Sequence, residues 1–453
     1  MLGMPLFHVL LLVAAIVVLL TATQSRRLHP FLVLVFVTAA FGLAAGLTIS
    51  LVGRAFGSGF SEKSYSPGLV IVGAGFVAGI AESTGASAYI AEATGHWRSR
   101  RSVALASLVG LIAGLCALPA AAFAILTPVL RPIGGGEAQK TESTTLASAL
   151  SISASHGLVL FAPVPVAAAS ILGADWGSVA LFGIPVAILV AALGAAWARW
   201  MPAMGTTSSP ASKDTRSITE TRSGWAASVL IVAVATPLVL LMVQSLGDIP
   251  SEPFGGGAAR ELILGVGRPL VLFVASLAIA FVGLRRRSFK LLADATWTAR
   301  ILGDVAGVVL IVCAAGGLQR LCQETGMAEL FGERLLDWRI GGTAGLLVPF
   351  LIAAVIKTLQ GSSLVAAIAA AGIVQMSLVP LGLASANGRA LATLAIGAGA
   401  MTVSHLNDEY YWLVADRAGL SPLGGLGKFT LGTLVQGIVA IAALITLSAV
   451  VSR

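Results

Sequence analysis

The chain has 453 residues, of which only 11% are charged and 57% are hydrophobic, with a mean hydropathy of +0.94. Ordinary soluble domains carry about 25% charged residues, so there is too little polar side chain to skin soluble domains, and a soluble enzyme, a nucleic-acid binder or a secreted disulfide scaffold is largely excluded. The net charge of +8 sits in great part in short loops, which reads as positive-inside bias and suits an anionic solute.

Crossing a bilayer takes about 20 apolar residues, and candidate spans follow one another along the chain. The first covers 5–22; the opening segment MLGMPLFH has no basic stretch, which favours a retained span over a cleaved leader. Spans at 29–51 and 67–82 follow. Within the latter, Gly73, Gly75 and Gly79 have the wrong spacing for a dinucleotide turn and read as a close-packing face. Thr84–Gly85 ends that span, and an amphipathic membrane-surface helix is predicted from there to Trp97. Two interrupted apolar stretches, 103–131 and 144–174, precede a plain span at 177–199. The polar segment 204–224 is a linker. Beyond it come spans at 225–245, 266–285 and 301–318. A second Thr-Gly (325–326) and surface helix lead to Trp338, then interrupted stretches 341–383 and 388–416, and a last span at 428–450. Interrupted stretches predict broken helices or re-entrant hairpins. Non-helical backbone at membrane depth survives only where protein or water satisfies it, so a solute pathway belongs there. Cys116, Cys313 and Cys322 show no ligand spacing and read as packing residues.

The linker divides the chain into 1–203 and 225–453. Sliding one half over the other by 241 positions pairs Gly75 with Gly316, Thr84–Gly85 with Thr325–Gly326, Glu92 with Glu333, and Trp97–Arg98 with Trp338–Arg339. A slightly larger shift pairs Ser155–His156 with Ser404–His405. An ordered set of this kind predicts an internal repeat. Basic loops at Arg26–Arg27, at 98–101 and at Arg285–Arg287 then place the two halves in opposite orientation, with the linker cytoplasmic. The fold class expected is an all-α polytopic membrane protein of two inverted-topology repeats with paired broken helices, the pattern of a secondary transporter.

The chemistry concentrates in the second half. In KTLQGSSLVA (357–366), Gly361 permits a tight turn, and Ser362, Ser363 and freed backbone N–H groups suit a carboxylate. Lys357 is costly near a bilayer centre unless it has a partner or snorkels to the surface. In SHLNDEYYW (404–412), His405 titrates near neutrality, Asn407 both donates and accepts, and Asp408 is a candidate proton or cation carrier. The bland alternative for this element is an aqueous loop with an interfacial aromatic belt. Its first-half counterpart carries Ser155 and His156. The counterpart of the Gly-Ser-Ser turn, ALPAAAF (117–123), has no polar side chain, so a site there is expected to use backbone alone.

GSSLVAAIAAAGI (361–373), SHLNDEYYW, Ser155-His156-Gly157 followed by prolines, and HPFLVLVFVTAAFGLAAGL (29–47) together resemble the gluconate permease family of proton symporters for gluconate and related sugar acids, over nearly the whole chain. The resemblance implies the ion-transporter superfamily fold: each repeat gives scaffold helices, a surface arm, a re-entrant hairpin and a broken helix, usually in a homodimer whose transport domain moves against a fixed scaffold. On that basis the scaffold covers about 1–97 and 225–338, and the transport domain about 98–203 and 339–453. The first-half site departs from the family: Ala120 stands where an acid is typical, and the proline-containing run LVLFAPVP after His156–Gly157 lacks the second histidine typical there. In the second half Lys357 replaces an arginine, and Glu409–Tyr410 replace Pro-Gly.

The reading is a bacterial inner-membrane transporter taking up a small organic anion, most simply a sugar acid, with protons. Gly361, Ser362 and Ser363 bind the carboxylate, with Lys357 and Ser404 in the same site. Asn407 and Ser155 contact hydroxyls. His405, Asp408 or His156 carries the proton. No cofactor and no metal is expected. A sodium-coupled carboxylate or inorganic-anion carrier on the same fold is the alternative. A membrane enzyme would need a nucleophile and base or a metal triad, and none is legible.

Overall fold

The computed structural model describes residues 3–24, 28–96, 99–115, 118–133, 138–160, 162–201, 223–247, 255–284, 286–326, 342–375 and 377–451. The helices of the first half are α1 (Gly3–Gln24), α2 (Pro30–Ala44), α3 (Ile49–Lys63), α4 (Leu69–Ser83), α5 (Ala86–Gly95), α6 (Ser99–Ala113), α7 (Pro119–Ile133), α8 (Ala138–Leu158), α9 (Pro163–Leu172) and α10 (Trp176–Trp200). Those of the second half are α11 (Gly224–Gly247), α12 (Ala258–Val266), α13 (Pro269–Leu284), α14 (Arg286–Ala293), α15 (Ala295–Glu324), α16 (Leu347–Gln360), α17 (Ser363–Gln375), α18 (Ala386–Ala400), α19 (Glu409–Arg417) and α20 (Leu431–Val451). Among the described residues, six helical stretches are long and apolar enough to cross a membrane, or seven if α12 and α13, bent by 59°, count as one.

Each interrupted stretch breaks within its predicted limits: between α6 and α7, between α8 and α9, between α16 and α17, and at 401–408 between α18 and α19. Two spans differ from expectation. The stretch 29–51 stops at Ala44, because the chain turns at Gly46 and Thr48 caps a new helix. The span expected at 67–82 is the second part of a longer one, Ile49–Ser83, bent at a π-type turn containing a cis Ser66–Pro67 bond. Its first part, α3, escaped hydropathy because it buries only Val52, Ala55 and Gly59 and carries Arg54, Glu62 and Lys63.

The packing follows the small residues. α4 lays Gly75 against Val305 and Gly79 against Ile301 of α15, so the glycine face serves close contact as expected. α15 also packs on α2 and α3, and α13 on α4 and α11. A second group joins α8 with α6 and α10, and α18 with α16, α9 and α20. α8 and α18 touch through backbone: a Cβ on Gly397 would stand 1.9 Å from the Gly157 carbonyl oxygen. α7 bridges the groups, against α4, α5 and α11 on one side and α8 on the other. Cys313 and Cys322 are buried as packing residues; Cys116 lies outside the described residues. α5 begins after Gly85 at φ +78 and buries one side (Ala86, Ile90, Thr94). Its expected twin, with Glu333, Trp338 and Arg339, lies outside the described residues, as do Trp97, Arg98 and 204–222 of the linker.

Candidate functional site

The last turn of a helix leaves carbonyl oxygens without intrahelical N–H donors, and the end of α16 is where the site is built. Gly361 ends α16 at φ +82, its N–H donating to the Lys357 carbonyl at 2.7 Å. Only glycine fits: a Cβ there would lie 2.3 Å from the carbonyl oxygen of Asn407. The loop 401–408 thus closes directly on the helix end. His405 Nε2 lies 2.7 Å from the Thr358 carbonyl, and Asn407 Nδ2 donates to the same oxygen at 2.9 Å. A carbonyl only accepts, so His405 carries its proton on Nε2 in this arrangement.

Lys357 turns inward. It is 2% exposed, and its ammonium donates to Asp408 Oδ2 at 2.6 Å and to the Gly361 carbonyl at 2.5 Å. Ser404 Oγ donates to the same Asp408 oxygen. Asp408 Oδ1 accepts from Tyr410 N at 2.9 Å, capping α19. One carboxylate therefore neutralises a buried lysine, holds a serine and starts a helix. The snorkelling alternative for Lys357 falls to this geometry. The loop is held from behind: Thr430 Oγ1 donates to the Ser404 carbonyl at 2.6 Å, and Ser404 N donates to Thr433 Oγ1 at 3.2 Å. Val403 stands at φ +55, a strained conformation for a β-branched residue, costing about 1–3 kcal/mol and tolerated where surroundings over-determine it.

The aromatic-belt alternative is likewise overturned. Tyr410, Tyr411 and Trp412 are all buried, because α19 packs on α15, α7 and α8. Tyr410 OH donates to the Ala149 carbonyl of α8 at 3.0 Å, its ring edge-on to Phe123 and Phe429; Trp412 Nε1 donates to the Leu406 carbonyl at 2.8 Å.

Of the residues singled out in sequence, Lys357, Gly361, Ser404, His405, Asn407 and Asp408 form one cluster. Ser362 and Ser363 adjoin it at the start of α17, where Ser362 Oγ accepts from Val365 N at 3.4 Å. Ser155 turns away: its hydroxyl donates to the carbonyls of Ser151 and Ile152 on its own helix, against Gly114. His156 is buried near the end of α8, beside the Gly157–Gly397 crossing.

Two features were missed in sequence. Lys428, fully buried, donates to Glu142 Oε1, joining the turn before α20 to α8. Both residues sit at the edges of apolar stretches, where a charge is easily read as a boundary. The second is a cavity of about 410 Å³, within the range of small-molecule sites. It is lined by Glu62, Lys63 and Ser66–Pro67, by Leu118–Ala121 at the start of α7, and by Gln244, Arg268 and Glu409. Lys63 Nζ donates to Glu409 Oε1 at 3.1 Å and lies 3.2 Å from Glu62 Oε1. Leu118–Ala121 contribute no polar side chain to this lining; its polar groups come from other elements.

The GntP family permease model matches residues 7–451. The chain is 26% identical to a gluconate permease of Pseudomonas aeruginosa over 98% of each protein. It is 25% identical to a low-affinity gluconate transporter of Escherichia coli, over 95% of this chain and 96% of that one. A high-affinity gluconate transporter of the same organism is 24% identical over 99% and 100%.

Proposed function

The chain belongs to the GntP permease family, a multi-pass membrane transporter and not an enzyme, and on that premise we propose that it takes up gluconate or a closely related sugar-acid anion together with protons across a bacterial inner membrane. The names of its relatives support the substrate class. The observation that carries the mechanism is the buried Lys357–Asp408 pair with Ser404 on the same carboxylate oxygen.

An anion entering this cluster competes with Asp408 for Lys357. Once its lysine is taken, Asp408 has no counter-charge in a buried setting, and an isolated buried carboxylate is far more costly than a neutral acid. It therefore takes up a proton. Substrate and proton enter together because each makes room for the other, and the site stays neutral. Gly361, Ser362 and Ser363 supply N–H and O–H groups to the carboxylate; Asn407, whose Oδ1 is buried without a partner, is placed for a substrate hydroxyl. Ser155 serves as a hydroxyl contact only if α8 turns. His405 and His156 are the proton relays.

The two helix groups suit an elevator motion of α6–α10 and α16–α20 against α1–α4 and α11–α15, in inverted repeats. The same reading places the linker in the cytoplasm and a homodimer contact on the first group. The test is uptake of labelled gluconate into proteoliposomes under an imposed pH gradient without sodium. Accumulation abolished by a protonophore is the expected result; accumulation that needs sodium or ignores the pH gradient refutes proton coupling.

A further inference from the structure

Asp408 and Glu409 are consecutive, yet each pairs with a different lysine. Asp408 reaches into the protein to Lys357; Glu409 reaches the opposite way to Lys63 of α3, and this second pair forms part of the wall of the 410 Å³ cavity. The cavity-side pair is partly open, with side chains 12% and 17% exposed. Glu62, the other carboxylate near Lys63, is 66% exposed, with its Oε1 3.2 Å from the Lys63 ammonium. Glu409 is not satisfied: its Oε2 is buried without a hydrogen-bond partner. Arg268 lines the same space, and so does the first turn of α7 at Ala120 and Ala121. The first N–H groups of a helix have no intrahelical acceptor and favour an anion.

We propose that the Lys63–Glu409 pair is the docking and exchange site for the substrate's carboxylate: the incoming anion takes Lys63, with Arg268 and the start of α7, and displaces Glu409, which then takes up a proton. This rests on the anion-and-proton reading above and extends it to residues outside the 357–408 cluster. The balance is simple. The substrate carboxylate accepts hydrogen bonds from the Lys63 ammonium, one O–H bond forms on Glu409 from a solvent proton, and no other covalent bond changes. Lys63 pairs with Glu409, and Glu62 and Arg268 are the other charged residues lining the cavity; one anion gained and one carboxylate protonated leave its net charge unchanged. The backbone neighbour of Glu409 is Asp408, the carboxylate that closes on Lys357. The cavity's carboxylates thus come from positions 62 and 409, while position 120, on the same wall, is alanine.

The test is binding of gluconate, glycerate and lactate to the purified full-length protein, with proton uptake followed by a pH dye in weak buffer. The wild type is expected to take up protons as gluconate binds. Lys63→Gln should weaken binding about tenfold or more, the loss of a charge-assisted hydrogen bond. Glu409→Gln should bind at least as tightly as wild type, because Lys63 is no longer occupied, and take up fewer protons. The double variant Lys63→Gln/Glu409→Gln leaves no bare charge; a merely structural pair would return to wild-type affinity, whereas a docking site stays weak. Affinity within about twofold of wild type in the double variant, or full proton uptake in Glu409→Gln, overturns the proposal and leaves the transport reading standing. Gluconate binding without proton uptake overturns it together with proton coupling. A folded wild type that binds none of the three anions removes it along with the substrate class.

Discussion

Replacing Asp408 by Asn tests the central pair most directly. The substitution preserves volume and one oxygen, so the Tyr410 N–H that caps α19 keeps an acceptor. What it removes is the charge opposite Lys357, a side chain only 2% exposed whose other partner is the Gly361 carbonyl. Removing one member of a buried ion pair costs about 3–5 kcal/mol, because the other charge is left uncompensated. The retained cap spares about 1 kcal/mol of what Asp408→Ala would lose. The second substitution decides the cause: Lys357→Met in the Asp408→Asn background removes the stranded charge at similar volume, and should bring stability back to within about 1.5 kcal/mol of wild type. Equilibrium unfolding in mixed micelles measures both variants, analysed as a double-mutant cycle. A single variant within about 1 kcal/mol of wild type, or a double variant no more stable than the single, refutes the claim that charge pairing dominates here. The transport reading makes a separate demand on the same variant in proteoliposomes: Asp408→Asn should lose accumulation driven by a pH gradient while keeping gluconate exchange. Unchanged accumulation ends the proton role of Asp408.

Other substitutions probe the supports of the site. Gly361→Ala places a Cβ 2.3 Å from the Asn407 carbonyl at φ +82; the left-handed conformation alone costs about 1–2 kcal/mol, so the variant should unfold earlier and lose binding, and wild-type unfolding would contradict the contact. Glu142→Gln should cost about 3–5 kcal/mol by stranding Lys428, with recovery in Glu142→Gln/Lys428→Met; equal stability of the three would show that the pair is not closed in the folded protein. Tyr410→Phe should cost about 0.5–1.5 kcal/mol through the lost hydrogen bond to Ala149, and more only if the orphaned carbonyl stays dry; denaturant midpoints read this, and a stabilised variant would refute it.

Hydropathy and spacing carry a large share of this protein. The apolar runs mark the spans because lipid forbids unsatisfied backbone, and the interruptions at Gly361 and 401–408 are legible because glycine and clustered polar residues inside an apolar run need a structural cause. The chemical types at 357, 404, 405, 407 and 408 are likewise legible, since a charge or amide in such a run is expensive. Family membership follows from the same residues. Three-dimensional partnership does not. Nothing in the spacing says that Lys357 meets Asp408, that Ser155 bonds its own helix, or that Lys428 finds Glu142 across 286 residues. α3 escaped a hydropathy reading because it carries Arg54, Glu62 and Lys63, and nothing along the chain says that Lys63 meets Glu409, 346 residues away. Local sequence determines which residues a membrane helix can bear and where it must break. Only the packing of α3, α7, α16 and α19 decides which charges face one another, because long-range pairing is set by how helix surfaces fit and leaves no period along the chain.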